Sequence, residues 1–277
     1  MSGLCLCLTD SVILVQRNTL EFLLLGFPLH TTLLMQNDLI KLVTNSLRTI
    51  LRRDMSLNRR IYSWLLGEVQ NSNNKENESM DVSYFEKYSK LILIKSLKIA
   101  LKNSISTADL SPYKILLSLL DKVEIAPIIN FILIDVIRTV TLVDDCGEVK
   151  KSVNSFFGNF DPSFIWNFLT TQFEKACQRK DVADECRKLP KDLSKRTAND
   201  VDSGEPSVIE VCYLSESLLD ILSLEIFNDT TRVFLPQVLF AITKIITTYE
   251  NNLTDDEVTA SILLCTKVIK HIQPMIL

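Results

Sequence analysis

The chain has 277 residues, of which 47% are hydrophobic, while only 6 are glycine and 8 are proline. This composition supplies enough apolar surface for a large core and argues against a turn-rich all-β fold. The net charge of −4 gives the whole chain no electrostatic attraction to nucleic acid or anionic lipid, so we expect no nucleic-acid partner, and lipid binding needs a local basic patch.

The 7 cysteines are irregularly spaced, and their odd number does not fit a disulfide framework. We interpret them as reduced residues of a cytosolic protein. A zinc site is the alternative, but the sequence has no Cys-x-x-Cys motif, and its two histidines, His30 and His271, lie far apart. We therefore expect no metal.

The start of the chain, MSGLCLCLTDSVILV, lacks a basic segment and is interrupted by Asp10, which makes it a poor signal peptide. The most apolar long window, residues 126–143, contains Asp135 and Arg138. A membrane-spanning helix tolerates such charges poorly. The window therefore predicts a buried helix, and we expect the protein to reach membranes only peripherally.

The first predicted helix covers residues 10–27, with Asp10 or Ser11 as N-cap and Gly26 and Pro28 at its end. It is apolar nearly all round, which indicates neighbours on more than one side. Because the residues before Asp10 do not suggest such a neighbour, we expect the chain to begin partway into a longer structure.

A predicted helical hairpin follows, here called the arginine hairpin (residues 38–67), with a short joint at Arg53–Asp54–Met55. Asp54 or Ser56 caps its second helix, and Gly67 ends it. The apolar residues of this second helix recur at helical spacing and are the predicted core of the hairpin. They are Leu57, Ile61, Trp64 and Leu65.

Five arginines crowd the joint, with Asp54 the only acid among them: Arg48, Arg52, Arg53, Arg59 and Arg60. We favour a solvated face, because charge runs usually are. Arg59 and Arg60 are then solvated or paired with Asp54 and Glu68, and Arg48 and Arg52 line the outside of their helix. The alternative is a basic surface for an acidic partner or a phosphorylated lipid headgroup, since guanidinium binds carboxylate and phosphate alike. The lipid interpretation requires Arg48, Arg52, Arg59 and Arg60 to point outward together.

The rest of the chain predicts helices separated by polar segments. Residues 70–81 are polar and predict a loop. The next predicted helix covers residues 82–103, and the candidates for its buried face are Tyr84, Tyr88, Leu91, Ile92 and Ile99. Three further helices begin at X-Pro pairs, where proline is favoured in the first turn. These pairs are Ser111–Pro112, Ala126–Pro127 and Asp161–Pro162.

Residues 180–206 are highly charged and predict an exposed or disordered insertion. The last three predicted helices cover residues 207–227, 231–249 and 255–271. A succession of helices without a strand signal predicts an all-α fold, either a HEAT- or armadillo-like α-solenoid or, since no clean repeat period is found, an irregular helical bundle. We expect one helical domain over residues 1–277, interrupted at about 70–81 and 180–206.

The sequence contains no set of residues that nominates a catalytic site. It has no glycine-rich phosphate loop, and neither histidine stands in a spacing typical of a triad. The pair Asp144–Asp145 is most simply a helix cap or part of a solvated loop. We expect no enzyme activity, no catalytic residues and no cofactor.

The segment RRDMSLNRRIYSWLLG, residues 52–67, resembles the signature of the Dopey family. Three more segments resemble blocks of that family's N-terminal conserved region, in the same order: SVILVQRNTLEFLLLGFPLH, SPYKILLSLLDKVEIAPII and NFDPSFIWNFL. The resemblance covers about residues 10–175. Members of the family are far longer, so this chain is expected to be a fragment.

The resemblance implies a protein that lies peripherally on the trans-Golgi network and endosomes. It implies a non-enzymatic scaffold or adaptor in membrane traffic, acting through protein–protein contacts of a helical array. The implied partners are a large Golgi scaffold related to Arf exchange factors and phospholipid-flippase machinery. The alternative function is a peripheral membrane module that binds phosphoinositide headgroups through the arginine hairpin. The family offers no catalytic residues.

Overall fold

The computed structural model describes residues 1–67, 83–107, 109–142, 147–179, 204–222 and 228–276. These residues form twelve α-helices and no strand, which confirms the all-α class. The helices are α1 (Ser2–Leu8), α2 (Ile13–Gly26), α3 (Gln36–Leu47), α4 (Met55–Leu66), α5 (Lys90–Thr107), α6 (Ser111–Leu120), α7 (Ile129–Leu142), α8 (Gly147–Phe157), α9 (Pro162–Gln178), α10 (Val208–Ile221), α11 (Asn228–Thr248) and α12 (Asp255–Ile276).

Proline marks the start of several of these elements, as the sequence predicts. Ser111–Pro112 begins α6, and Pro162 is the first residue of α9, where the Asp161 carboxylate accepts from the Ser163 amide at 2.8 Å. Ala126–Pro127 begins a 3₁₀ turn, Ala126–Ile128, that leads into α7. Proline suits these positions because its missing N–H has no partner there in any helix.

The chain divides into two compact units, unit 1 (Met1–Ile134) and unit 2 (Asp135–Leu277). The single domain over residues 1–277 stays a prediction. The predicted interruption at 70–81 lies outside the described residues, and so does all of 180–206 except its last three residues.

The first long helix differs from its prediction at its start. Helix α2 begins at Ile13, with Val12 rather than Asp10 or Ser11 as N-cap. The residues before Asp10 do supply a neighbour, because α1 packs on α2 and the Gln16 side-chain amide donates to the Leu8 carbonyl at 3.1 Å. A seven-residue helix with mixed composition gives little periodic signal, so the sequence did not predict α1.

The predicted buried face of the fifth helix is partly wrong. Ile92 is buried, but Leu91 and Ile99 are 56% and 40% exposed. The buried face carries Leu93, Leu97 and Leu101 together with small serines, one of which, Ser96, donates to the Ile40 carbonyl of α3 at 3.1 Å. Because this helix has large apolar residues on more than one side, their spacing alone did not identify the side that packs on α3. A π-helical turn, Phe85–Ser89, precedes α5.

Unit 2 has its core among α9, α10, α11 and α12. Trp166 lies there with Phe173, against Val211 of α10 and Leu264 of α12.

The apolar window around α7 is buried as predicted, and its two charged residues, Asp135 and Arg138, are buried with it. Among the described residues, no helix combines the length and the apolar character needed to cross a membrane.

Candidate functional site

The arginine hairpin is built from α3, a 3₁₀ turn (Arg48–Arg52) and α4. Arg53 has a left-handed conformation at φ 54°, and Asp54 then caps α4 by accepting from the Leu57 amide at 2.9 Å. A left-handed residue followed by an N-cap reverses the chain within two residues. This geometry explains why the predicted joint is so short.

The apolar half of the hairpin lies in the core of unit 1. The side chains of Leu57, Ile61, Trp64 and Leu65 are all fully buried. The Trp64 indole N–H donates to the Phe27 carbonyl at 2.9 Å, so burial leaves this polar group satisfied. The contact also attaches α4 to the end of α2.

Arg60 points into the protein and not outward. Its guanidinium donates to the Glu21 carboxylate of α2 and, at 2.6 Å, to the Ser56 hydroxyl one turn earlier on α4. Of the two alternatives for this arginine, solvation and pairing with Asp54, the structure shows neither, since Arg60 is bound to Glu21 and the Asp54 carboxylate accepts from the Leu57 amide. Glu68, the other predicted partner, lies outside the described residues.

Arg48 and Arg52 have different partners. Arg48 lies 3.4 Å from the Asp109 carboxylate, in a pair whose side chains are 61% and 30% exposed. Arg52 donates to the Asp10 carbonyl at 3.2 Å. Arg53 and Arg59 are exposed.

The structure therefore does not gather the arginines into one outward cluster. The lipid interpretation required Arg60 to face solvent together with Arg48, Arg52 and Arg59, and Arg60 instead forms an ion pair with α2. Sequence reasoning missed both acidic partners, Glu21 and Asp109, because they lie 39 and 61 residues from the arginines they bind. Such pairs depend on how helices pack, which no local spacing reveals.

A pocket lies at the end of α4. It has a volume of about 380 Å³, and its lining includes Trp64, Gly67, His30 and Tyr84. Gly67 has φ +80°, and a Cβ added there would lie 2.8 Å from Cγ of Tyr84. Glycine is required at this position both by the conformation and by the ring.

Neither histidine forms part of a nucleophilic arrangement within the described residues. The nearest described polar contact of the His30 ring is the Tyr84 hydroxyl, 3.3 Å from Nδ1. Burial raises the pKa of that phenol, which keeps Tyr84 neutral. His271 Nδ1 lies 2.9 Å from the Lys267 carbonyl, a contact within its own helix. Asp144–Asp145 lies outside the described residues.

A buried ionic cluster lies in unit 2. The Arg138 guanidinium donates to Glu210 at 2.7 Å, to Asp135 at 3.1 Å and to the Gly204 carbonyl at 2.9 Å. Burial alone lowers the pKa of Arg138, but the bonds to Glu210 and Asp135 outweigh it and raise the pKa. Glu210 was missed because its position three residues after the N-cap Ser207 is typical of a capping residue.

The cysteines that the structure describes are all free. Cys177 and Cys212 are buried, whereas Cys5, Cys7 and Cys265 are half-buried. Cys146 and Cys186 lie outside the described residues. No group of three or more His, Cys, Asp or Glu side chains placed to hold a metal ion occurs in the described part of the chain.

The fold defines a protein of the all-α class, consistent with a helical repeat or a helical bundle. A family model described as "Dopey, N-terminal" matches residues 1–70, and one described as "DOP1 middle TPR domain" matches residues 84–194. Together they cover more than half of the chain. The chain belongs to the Dopey family.

Relatives match over most or all of the chain. The chain is 49% identical to the protein DOP1 homolog of Drosophila melanogaster, over 100% of this chain and 11% of that protein. It is 30% identical to protein DOP1B of Xenopus laevis, over 99% of this chain and 14% of that protein. It is also 30% identical to protein DOP1 of Saccharomyces cerevisiae, over 61% of this chain and 11% of that protein.

The chain therefore spans about one ninth of the length of the fly relative. No solved structure matches it significantly.

Proposed function

We propose that this chain is a segment of a non-enzymatic scaffold or adaptor in membrane traffic between the Golgi and endosomes. It acts through protein–protein contacts of its helical array. Membership of the Dopey family supports the proposal, because resemblance to that family implies this role. The partners we propose are a large Golgi scaffold related to Arf exchange factors and phospholipid-flippase machinery. The location we propose is peripheral, on the trans-Golgi network and endosomes.

One observation carries the proposal: helix α2 has apolar residues on two opposite faces. Its inner face buries Leu20 and Leu23. Its outer face carries Leu14, Phe22 and Leu25, which are half or more exposed. We call these three residues the α2 stripe. They lie about 80° apart at most around the helix, at 100° per residue, so they share one side of the helix, where Asn18 and Glu21 lie between Leu14 and Phe22.

An apolar stripe on the solvent side of an otherwise packed helix indicates a further neighbour. Single exposed apolar residues are common, but a row of them at helical spacing is typical of an interaction surface. We favour a protein neighbour over an anionic membrane, because Arg60 of the adjacent hairpin is bound to Glu21 of α2 and does not supply charge outward. Another segment of the longer relatives is the competing occupant.

The location of the chain in cells tests the proposal. A fluorescently tagged 277-residue chain is compared with a Phe22→Ser/Leu25→Ser variant and with Val123→Ser. Val123 is the matched control, since it is 85% exposed and lies in a loop away from α2. We expect the wild-type chain and Val123→Ser to overlap trans-Golgi and endosome markers, and the stripe variant to become diffuse.

A wild-type chain that stays diffuse contradicts the proposed location. A stripe variant that still overlaps the markers contradicts the role of the α2 stripe.

A further inference from the structure

A groove of about 380 Å³ lies in unit 1 between α3, α5 and the start of α6. This volume is in the range of sites that hold a small ligand or a short peptide segment. The residues that matter for recognition line both walls of the groove: Lys41, Asn45, Arg48, Ile99, Asn103 and Asp109. We call it the α3–α5 groove. It combines a part of the chain that matches the Dopey N-terminal model with a part that matches the middle TPR model.

Two cations stand on one wall of the groove. Lys41 and Arg48 are seven residues apart, which places them about 10 Å apart along the helix axis and on one face. Arg48 contacts Asp109 at 3.4 Å, but both side chains are partly exposed. Such a pair is weak and readily exchanges its acid for another. The lining carries more positive than negative charge, with Asp109 the acid among the six residues named.

Two asparagines provide the groups that recognise a peptide backbone. Asn45 donates from its amide to the backbone carbonyl of Lys41 at 2.8 Å, which fixes its side chain against the preceding turn of α3. Asn103 lies across the groove on α5. A carboxamide both donates and accepts, so it can bond the N–H and the C=O of an extended chain.

The groove also has an apolar contact point. Ile99 is 40% exposed and lies on the same wall as Asn103. A partner that places one apolar side chain on Ile99 removes this exposed surface from water. The lining thus combines positive charge, amide groups and one apolar position.

We propose that the α3–α5 groove binds an acidic peptide segment in an extended conformation. Carboxylates of the segment pair with Arg48 and Lys41, its backbone bonds to Asn45 and Asn103, and an apolar residue covers Ile99. The inference rests on the proposed function, because it states the kind of partner segment that this part of the array recognises.

A peptide fits the groove better than a phosphoinositide headgroup does. A phosphoinositide headgroup concentrates several negative charges next to Asp109 and has no N–H group to donate. A peptide spreads its carboxylates along the chain and also offers the N–H and C=O groups that the Asn45 and Asn103 amides bond. The groove therefore suits a ligand with both donors and carboxylates.

Selection from a random decapeptide phage library tests the proposal without a known partner. The immobilised 277-residue chain is compared with Lys41→Gln/Arg48→Gln and with Arg59→Gln. Arg59 is the matched control, since it is an exposed arginine of the same hairpin that does not line the groove. We expect enrichment of Asp and Glu with the wild type and with Arg59→Gln, and its loss with the double variant.

The most enriched peptide is then synthesised and its Kd measured by fluorescence anisotropy. Removing two charge-assisted contacts is expected to weaken binding about a hundredfold, roughly tenfold for each contact. Asn103→Asp adds a negative charge with almost no change in shape and is expected to weaken binding as well. Circular dichroism checks that each variant is folded.

Three results would overturn the proposal: no acidic enrichment with the wild type, enrichment that survives in Lys41→Gln/Arg48→Gln, or displacement of the peptide by vesicles containing phosphatidylinositol 4-phosphate. The test is separate from that of the proposed function. A chain that selects acidic peptides but stays diffuse in cells contradicts the proposed location alone. A chain that reaches the Golgi but selects no acidic peptide contradicts the groove alone.

Discussion

At the scale of single residues, Arg138 lies at the centre of a buried cluster of three charged side chains. Its guanidinium and the carboxylates of Asp135 and Glu210 are each almost completely buried. Moving three charges out of water is costly, and their mutual bonds, together with the bond to the Gly204 carbonyl, offset part of that cost. The cluster joins α7 to the start of α10, so it fixes how these two helices of unit 2 pack.

We expect Arg138→Met to destabilise unit 2 by about 3–5 kcal/mol, because it removes the guanidinium that binds both buried carboxylates. Hydrogen exchange of the amides in α10 measures the loss. The control is Lys267→Met, which removes an exposed pair with Asp220 and is expected to cost about 0–1 kcal/mol. Equal losses for the two variants would show that the buried cluster adds no stability beyond a surface pair.

Gly67→Ala is expected to destabilise unit 1 by about 1–3 kcal/mol, since it combines a positive φ with a clash against Tyr84. Gly26→Ala is the control, because its added Cβ would lie 4.0 Å from the nearest atom, Cε2 of Phe22. Fluorescence of Trp64 during urea unfolding, in a Trp166→Phe background, reports on unit 1. A Gly67→Ala variant as stable as Gly26→Ala would mean that Tyr84 does not pack against Gly67.

The buried thiols of unit 2 predict a pH dependence. Burial raises the pKa of Cys177 and of Cys212 to about 12, from an ordinary value of 9.0. The folded state therefore keeps these thiols neutral where the unfolded state ionises them, so stability falls as the pH rises from about 9 to about 12.

At pH 8 we expect iodoacetamide to label Cys177 and Cys212 much more slowly than the half-buried Cys5 and Cys7, because the thiolate is the reactive form. Mass spectrometry of the peptides measures each rate, and urea should abolish the difference. Labelling of Cys212 as fast as that of Cys5 in the folded chain would contradict the described burial.

At the scale of elements, local sequence signals predict where the helices lie, but they do not always predict which face of a helix is buried. Caps and X-Pro pairs predict the starts of α6 and α9, because they depend on neighbouring residues only. The buried face of α5 depends on its close approach to α3 through Ser96, and that face differs from the predicted one. Pairings such as Arg60 with Glu21 were missed for the same reason.

Two leucines on α5 distinguish the buried face that the structure shows from the one that the sequence predicts. Leu93→Ala is expected to cost about 2–5 kcal/mol, because Leu93 is fully buried and its removal leaves a cavity. Leu91→Ala is expected to change stability by roughly 0.5 kcal/mol or less, because Leu91 is 56% exposed. Urea unfolding followed by Trp64 fluorescence compares them. A larger loss of stability for Leu91→Ala than for Leu93→Ala would contradict the described face and support the one that the sequence predicts.

At the scale of the whole molecule, the all-α class and the family follow from the sequence, because helical spacing and a specific signature are both local. The arginine hairpin combines apolar residues and arginines within a short stretch, and the two sets have different roles. Leu57 and Trp64 belong to the core, and Arg48 faces the α3–α5 groove. The sequence alone does not show which arginine is bound and which faces the groove, since it does not show which acids lie within reach of each arginine.

The measurement that tests the central claim most directly is an affinity capture from cytosol with quantitative mass spectrometry. The bait is the 277-residue chain as wild type, as Phe22→Ser/Leu25→Ser or as Val123→Ser. Our account predicts that the wild type and Val123→Ser retain the Golgi scaffold related to Arf exchange factors, and that the stripe variant loses it. Equal retention by all three baits, or no retention of that scaffold by the wild type, would contradict the account.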